Sequence, residues 1–225
     1  MRGGLEMSTR LKFDNDLEEL RTNILNLGNV VGQRIGLAVD SLVNQDLELA
    51  NTVVVGDLAI NDLQAIIEEK CILLIATQQP FARDLRKLVG GFKISMYLER
   101  MGDLSVDLAK ITIRIGHEEL IKPLIDIPRM RDMVQEMVNK GLKAYVQEDF
   151  ETAEQMAQMD EDVDKLYSQV YTDLQVLMME APEKVTQANY LLFAGRFLER
   201  MGDYCTNIAE EIVYLCSGKR VNLNE

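Results

Sequence analysis

Tryptophan is absent from the 225 residues, histidine occurs once, cysteine three times and proline four times. Each shortage excludes something. Cys71, Cys205 and Cys216 are odd in number and widely spaced, with no Cys-x-x-Cys pair, so neither a disulfide framework nor a thiolate zinc site is expected. Buried structural cysteine is the simpler reading. The single His117 leaves no imidazole cluster for metal binding or base catalysis. Basic residues are also short: 24 Lys and Arg face 37 Asp and Glu, a net charge of −13. Nucleic acid needs a basic stripe that displaces counterions from phosphate, and an anionic lipid surface needs similar chemistry. Neither is expected as a direct ligand. Apolar runs such as Ile72-Leu73-Leu74-Ile75-Ala76 fall far short of the ~20 residues that span a bilayer. The segment from Met1 to Met7 has no apolar core of a secretory signal, so a cytoplasmic protein is expected, with Met1 or Met7 as its start.

What the sequence has is helix. Apolar residues make up 47% and charged residues 27%, a globular balance. Between the prolines lie long stretches rich in Leu, Ala, Glu, Lys, Met and Gln. Leu17, Leu20, Ile24, Leu27, Val31, Ile35, Val39 and Leu42 repeat at helical spacing. No period-two alternation and no Asn-Gly or Asp-Gly hairpin turn interrupts the pattern. Asp46, Asp84, Asp149 and Pro182 stand where helices should start. The reading is all-α, with helices near 14–44, 46–76, 82–115, 127–147, 149–180 and 182–216. Residues 116–126 form the one plausible linker. Gly28, Gly32 and Gly36 make a small-residue stripe that would let another helix approach the first closely. Met130, Met133, Met137, Met156, Met159, Met178 and Met179 read as core filling.

The chain repeats itself. LERMGD occurs at 98–103 and 198–203, and the flanks agree at Tyr97/Phe197, Asp107/Asn207, Leu108/Ile208 and Ala109/Ala209. Upstream, 46–62 aligns with 149–165 at an offset of 103 residues, pairing Asp46 with Asp149 and Asp57 with Asp160. A repeat this long exceeds a solenoid unit. It predicts two tandem related three-helix bundles, at 14–115 and 126–217, with short connections making neighbouring helices antiparallel.

Each half carries an acidic ladder. Glu99, Asp103 and Asp107 recur every fourth residue, which keeps them on one helix stripe. Glu199, Asp203 and Asn207 do the same in the second half. The preceding helices add Asp57 with Asn61, and Asp160 with Asp164. Taken singly, such a ladder is most often a solvated face, and Arg100 and Arg200 sit three residues from Asp103 and Asp203 to neutralise it. Two ladders in matching positions favour a hard cation held by oxygen ligands, such as Mg, Mn, Fe or Ca. Gly102 and Gly202 lie inside the ladders, where a mid-helix glycine implies a packing or access role.

Residues 78–110 (QQPFARDLRKLVGGFKISMYLERMGDLSVDLAK) and 197–219 (FLERMGDYCTNIAEEIVYLCSGK) carry a family resemblance. The pattern PxxxDLR followed by LERxGDxxxxIA resembles the PhoU family of phosphate-transport accessory and regulatory proteins, over about residues 14–219. The resemblance implies two three-helix bundles that bind metal clusters, often iron, with Mn, Mg or Zn as further candidates. It implies a non-enzymatic negative regulator of phosphate uptake and the phosphate-starvation response. The implied partners are the ATPase of the phosphate ABC transporter and the phosphate-sensing histidine kinase, with membrane contact only through them, and a homodimer is a further expectation. Carried over, the ligands are Asp57, Glu99, Asp103 and Asp107 in the first half, and Asp160, Asp164, Glu199 and Asp203 in the second. Asn61 and Asn207 depart from the acidic pattern and would be weaker ligands. Arg83, Asp84 and Arg86 match the PxxxDLR segment and read as partner contacts or as a helix start with surface ion pairs.

Two other readings stay open on the residues alone. One is a helical adaptor without metal. The other is a carboxylate-bridged di-metal enzyme, disfavoured because the chain has no Glu-x-x-His and its one histidine falls in the linker. The charge is also uneven, net −3 over residues 1–115 and −10 over 116–225. If that excess serves metal, the second half holds the stronger site.

Overall fold

A computed structural model describes residues 2–223, with side chains from Leu11 onward. Met1 lies outside the described residues, and with it the choice between Met1 and Met7 as the start. The described chain is helical, with no strand among the described residues: α1 (Arg2–Val43), α2 (Leu47–Val55), α3 (Asp57–Gln78), α4 (Ala82–Ile115), α5 (Asp126–Gln147), α6 (Phe150–Glu180) and α7 (Val185–Ser217), with a 3-10 turn at Pro182–Lys184.

Local chemistry explains most boundaries. Asp46 caps α2 by accepting from the Leu49 N–H at 2.9 Å, and Asp149 caps α6 by accepting from the Thr152 N–H at 3.1 Å. Pro182 opens its 3-10 turn. Asp84, read as a helix start, lies instead in the first turn of α4, where a negative charge still complements the helix dipole. The first helix also begins well before residue 14. A larger departure is the helix expected at 46–76, which breaks at Gly56. The cause is Arg34, whose guanidinium lies against Gly56 and donates to the Val53 carbonyl at 2.7 Å. The guanidinium competes for a carbonyl of the helix ladder and fills the space that a Cβ at position 56 would take. The repeat-related positions are Met137 and Met159, and α6 runs unbroken.

The core gathers the apolar stripe read from α1: Leu20, Ile24, Leu27, Val31, Ile35, Val39 and Leu42 are all buried. α1, α4, α7 and α5 pack as a ring, each against the next, while α2 and α3 lie outside α1 and α4, and α6 lies outside α5 and α7. The two repeats therefore share one continuous apolar core. The glycine stripe serves that junction. Leu142 of α5 presses on Gly28, and Gln135 of α5 packs on Gly36 while donating to the Gly32 carbonyl at 2.7 Å. Of the methionines read as core, Met130, Met137 and Met156 are buried, whereas Met179 is 82% exposed. Cys71 and Cys205 are buried free thiols, and burial pushes the Cys71 thiol up to about 12.

The linker is bound rather than loose. Gly116 ends α4 with a φ of 64°, a left-handed value that suits glycine. Gln187 then accepts from the Ile121 N–H at 2.7 Å and donates to the Glu119 carbonyl at 3.1 Å. At the opposite end of the ring, Glu148 caps α5 in a left-handed conformation and gathers three cations of the first repeat. Lys87 approaches at 2.5 Å, Arg83 at 2.8 Å and Arg21 at 3.9 Å. Glu148, Lys87 and Arg21 line a cleft of about 190 Å³ together with Leu17, Leu20 and Leu215.

Hydrogen bonds from Lys87 and then Arg83 hold the Glu148 carboxyl below its usual range. Its stabilisation is therefore present above the unfolded-state value of 4.5 and is lost as pH falls through the lower folded-state value. Glu148→Gln should cost about 1–2 kcal/mol at neutral pH, the scale of a partly exposed charged hydrogen-bond cluster. The gap from wild type in denaturant melts should close in acid below pH 4.5.

Candidate metal centre

The ladders lie on the seams between ring and outer helices. Asp57 of α3 faces Glu99 and Asp103 of α4, with Asn61 beside Asp57 on α3 and Asp107 one turn further along α4; Asp160 and Asp164 of α6 face Glu199 and Asp203 of α7, with Asn207 one turn further along α7. Burial there is graded. Asp160 is 6% exposed, Asp164 is exposed, and the other eight are half-buried.

Dehydration and mutual repulsion shape their ionisation. Burial first, then the neighbouring Asp103, raises the Glu99 carboxyl, and Asp57 adds to the same effect. Burial and Asp57 raise Asp103 likewise. The second half is perturbed further. Burial pushes Asp160 up to about 6, with Asp164 and Asp203 adding to it, and burial with Asp203 pushes Glu199 up to about 7. Cations offset part of this. Arg100 approaches Asp103 at 3.4 Å and Glu99 at 3.6 Å, Lys110 pairs with Asp107 at 2.9 Å, and Arg196 pairs with Glu199.

Offsetting is incomplete. Six buried side-chain polar atoms lack a hydrogen-bond partner among the described residues, and four are ladder oxygens: Asp57 Oδ1, Asn61 Oδ1, Asp160 Oδ1 and Glu199 Oε2. Buried oxygens without donors are costly, and a hard cation is the group that satisfies several at once. The donor set is all oxygen, which suits such an ion. Among the described residues, however, no three carboxylate, imidazole or thiolate groups already converge as one ion would require. A cation would have to draw them together against the arginines and the lysine that now hold them.

Two residues that the sequence reading passed over belong to this site. Thr206 donates to Asp160 Oδ2 at 2.9 Å and fixes that carboxylate, while Arg196 holds Glu199 and lies 5.9 Å from the Tyr167 ring centroid. The repeat-related residue to Thr206 is Val106, which offers no donor, and Asp57 accepts instead from Asn61 Nδ2 at 3.3 Å. The ladder glycines have separate reasons. Gly102 makes room for Ile60, and Gly202 makes room for the Asp160 carboxylate. Arg83, Asp84 and Arg86 lie elsewhere, at the Glu148 end, where Arg83 is paired and Arg86 packs on Gly218.

The family model of the PhoU domain matches twice, over residues 24–112 and 127–212. The chain belongs to the PhoU family. A relative from Clostridium acetobutylicum, named a phosphate-specific transport system accessory protein PhoU homolog, is 38% identical over 221 residues, covering 96% of this chain and 100% of its own length. One of the same name from Aquifex aeolicus is 36% identical, covering 94% and 96%. The fold agrees with the crystal structure of PhoU from Pseudomonas aeruginosa at a TM-score of 0.88, with 33% identity over 92% of this chain and 100% of that one. It also agrees with the phosphate transport system regulatory protein PhoU from Streptococcus pneumoniae at 0.87, with 31% identity over 93% and 99%. Family membership and the all-α fold with two related repeats both follow.

The raised carboxyls set a pH dependence. A carboxyl that binds its proton more tightly when folded stabilises the protein in acid, and that stability is lost as pH rises through its folded value. Metal-free protein should therefore melt at a lower temperature at about pH 8 than at about pH 5, the decline levelling off above the folded values of about 6 for Asp160 and about 7 for Glu199. Glu199→Gln should flatten that decline in thermal melts after chelator treatment.

Proposed function

We propose that this chain is an accessory and negative regulator of phosphate uptake, restraining the phosphate-starvation response through the ATPase of the phosphate ABC transporter and the phosphate-sensing histidine kinase. The observation that carries the reading is the match of both repeats to one family whose relatives are named as accessory proteins of a phosphate-specific transport system. Among the described residues no helix is long and apolar enough to cross a membrane, so contact with a membrane transporter would run through protein surfaces. No catalytic role is assigned: the one histidine lies exposed in the linker, away from both ladders.

Metal ions, iron or another hard or borderline cation, form the second part of the proposal. Asp57, Glu99, Asp103 and Asp107 would hold them in the first half, with Asn61 a weaker ligand. Asp160, Asp164, Glu199 and Asp203 would do so in the second, with Asn207 the weaker one. A bound cation supplies the positive charge that the four orphaned oxygens lack. The deeper burial of Asp160 and the larger perturbation of Glu199 favour the second site as the tighter one. A second reading, a helical adaptor without metal, draws on the arginines and lysine that already offset the ladders and on the lack of convergence among the described ligands.

Two measurements separate these readings. Deleting the protein should raise phosphate-starvation gene expression in phosphate-rich medium, and unchanged expression would remove the regulatory proposal. Elemental analysis after reconstitution should find bound metal, reduced in Asp103→Ala and more strongly in Asp203→Ala, with helical content unchanged. Wild-type metal content in both variants, or none in the parent, would leave the adaptor reading.

A further inference from the structure

Glu211 is 3% exposed in the interior of α7, a carboxylate at a position that the first repeat fills with hydrocarbon. The repeat-related residue is Ile111, also buried, and its surroundings have diverged with it: Lys93 of α4 corresponds to Phe193, and Glu210 to Lys110. Glu211 Oε1 receives Lys93 Nζ at 2.7 Å and Arg220 Nη1 at 2.6 Å. Its Oε2 is buried with no hydrogen-bond partner among the described residues.

Arg220 arrives from outside the helix. Gly218 reverses the chain with a φ of 72°, and the following residues fold back on α7. The Arg220 guanidinium lies 3.9 Å from the Tyr214 ring centroid. Val221 and Leu223 pack at the edge of the core, and the Leu223 N–H donates to Glu210 Oε1 at 2.9 Å. A buried carboxylate, an aromatic face, an acceptor for backbone N–H and an apolar edge together make a receptor for an extended segment bearing arginine.

The tail fills this receptor imperfectly. A guanidinium and a carboxylate pair best through two parallel hydrogen bonds. Arg220 reaches one oxygen, which it shares with Lys93, and its side chain stays 52% exposed. We propose that this groove on α7, edged by Lys93, recognises an extended segment of a partner protein carrying an arginine followed by apolar side chains one and three positions on. The chain's own residues 219–223 occupy it in cis. A partner whose arginine reaches both oxygens displaces the tail, and the tether sets the threshold it must exceed. A second copy of this chain is the weaker occupant. It offers the same single-oxygen contact as the tethered tail, and two chains of charge −13 repel. The inference is independent of the phosphate and metal readings.

The test uses full-length protein and a fluorescent peptide, Gly-Lys-Arg-Val-Asn-Leu, followed by anisotropy. The double variant Arg220→Ala/Leu223→Ser vacates the groove through two side chains outside the helices. It should bind the peptide saturably, and wild type should bind at least tenfold more weakly. Replacing the peptide's arginine by alanine should abolish binding, and replacing it by lysine should weaken it at least tenfold. Equal binding by the two proteins, equal binding of the alanine peptide, or no saturable binding to the variant would overturn the proposal. So would a wild-type dimer that disappears in Arg220→Ala, since the groove would then serve a second copy.

Discussion

The closure of α1, α4, α7 and α5 into one ring is the constraint on which the other features depend. Burying the apolar stripes of both repeats against each other joins them into a single core, and helical stability comes mainly from such packing. Close approach between α1 and α5 is tightest where Leu142 meets Gly28 and Gln135 meets Gly36, positions at which a Cβ would collide. The ring also fixes where the outer helices lie. α3 has to cover α4, and α6 has to cover α7, so the acidic residues of each pair meet along a seam rather than in open solvent.

That seam gives the ladders their chemistry. A carboxylate row on an isolated helix repels itself weakly, because water screens each step. Enclosed between two helices, the same row loses water, its members raise one another's affinity for protons, and oxygens are left without donors among the described residues. Arg100, Lys110 and Arg196 offset part of the charge from the rim. The balance between those cations and a hard metal ion decides whether the seam is an electrostatic brace or a binding site.

The repeats have kept the scaffold and diverged at its corners. Arg34 with Gly56 breaks the outer rod of the first repeat, whereas Met137 with Met159 leaves α6 intact. Val106 became Thr206, or the reverse, and only the second half can anchor its buried aspartate through a hydroxyl. Gln45 reaches the linker carbonyl of Glu118 at 2.5 Å, while its counterpart Glu148 collects Lys87, Arg83 and Arg21. Ile111 against Glu211 follows the same pattern: one repeat fills the position with hydrocarbon and the other places a charge in it.

Periodicity, helix-start residues and internal duplication determined the fold class by themselves, because local spacing and capping act within a few residues along the chain. They located the ladders as well, since residues four apart must share a helix face. What spacing could not reveal was contact between residues distant in sequence. The break at Gly56 depends on Arg34, and the anchoring of Asp160 depends on Thr206, across 46 positions. The role of Arg83 at Glu148 spans 65. Only the tertiary structure decided that the two bundles share a core, that the linker is held by Gln187, and that a buried glutamate meets the returning tail. Those outcomes rest on which surfaces exclude water from one another, and no single stretch of sequence carries that information.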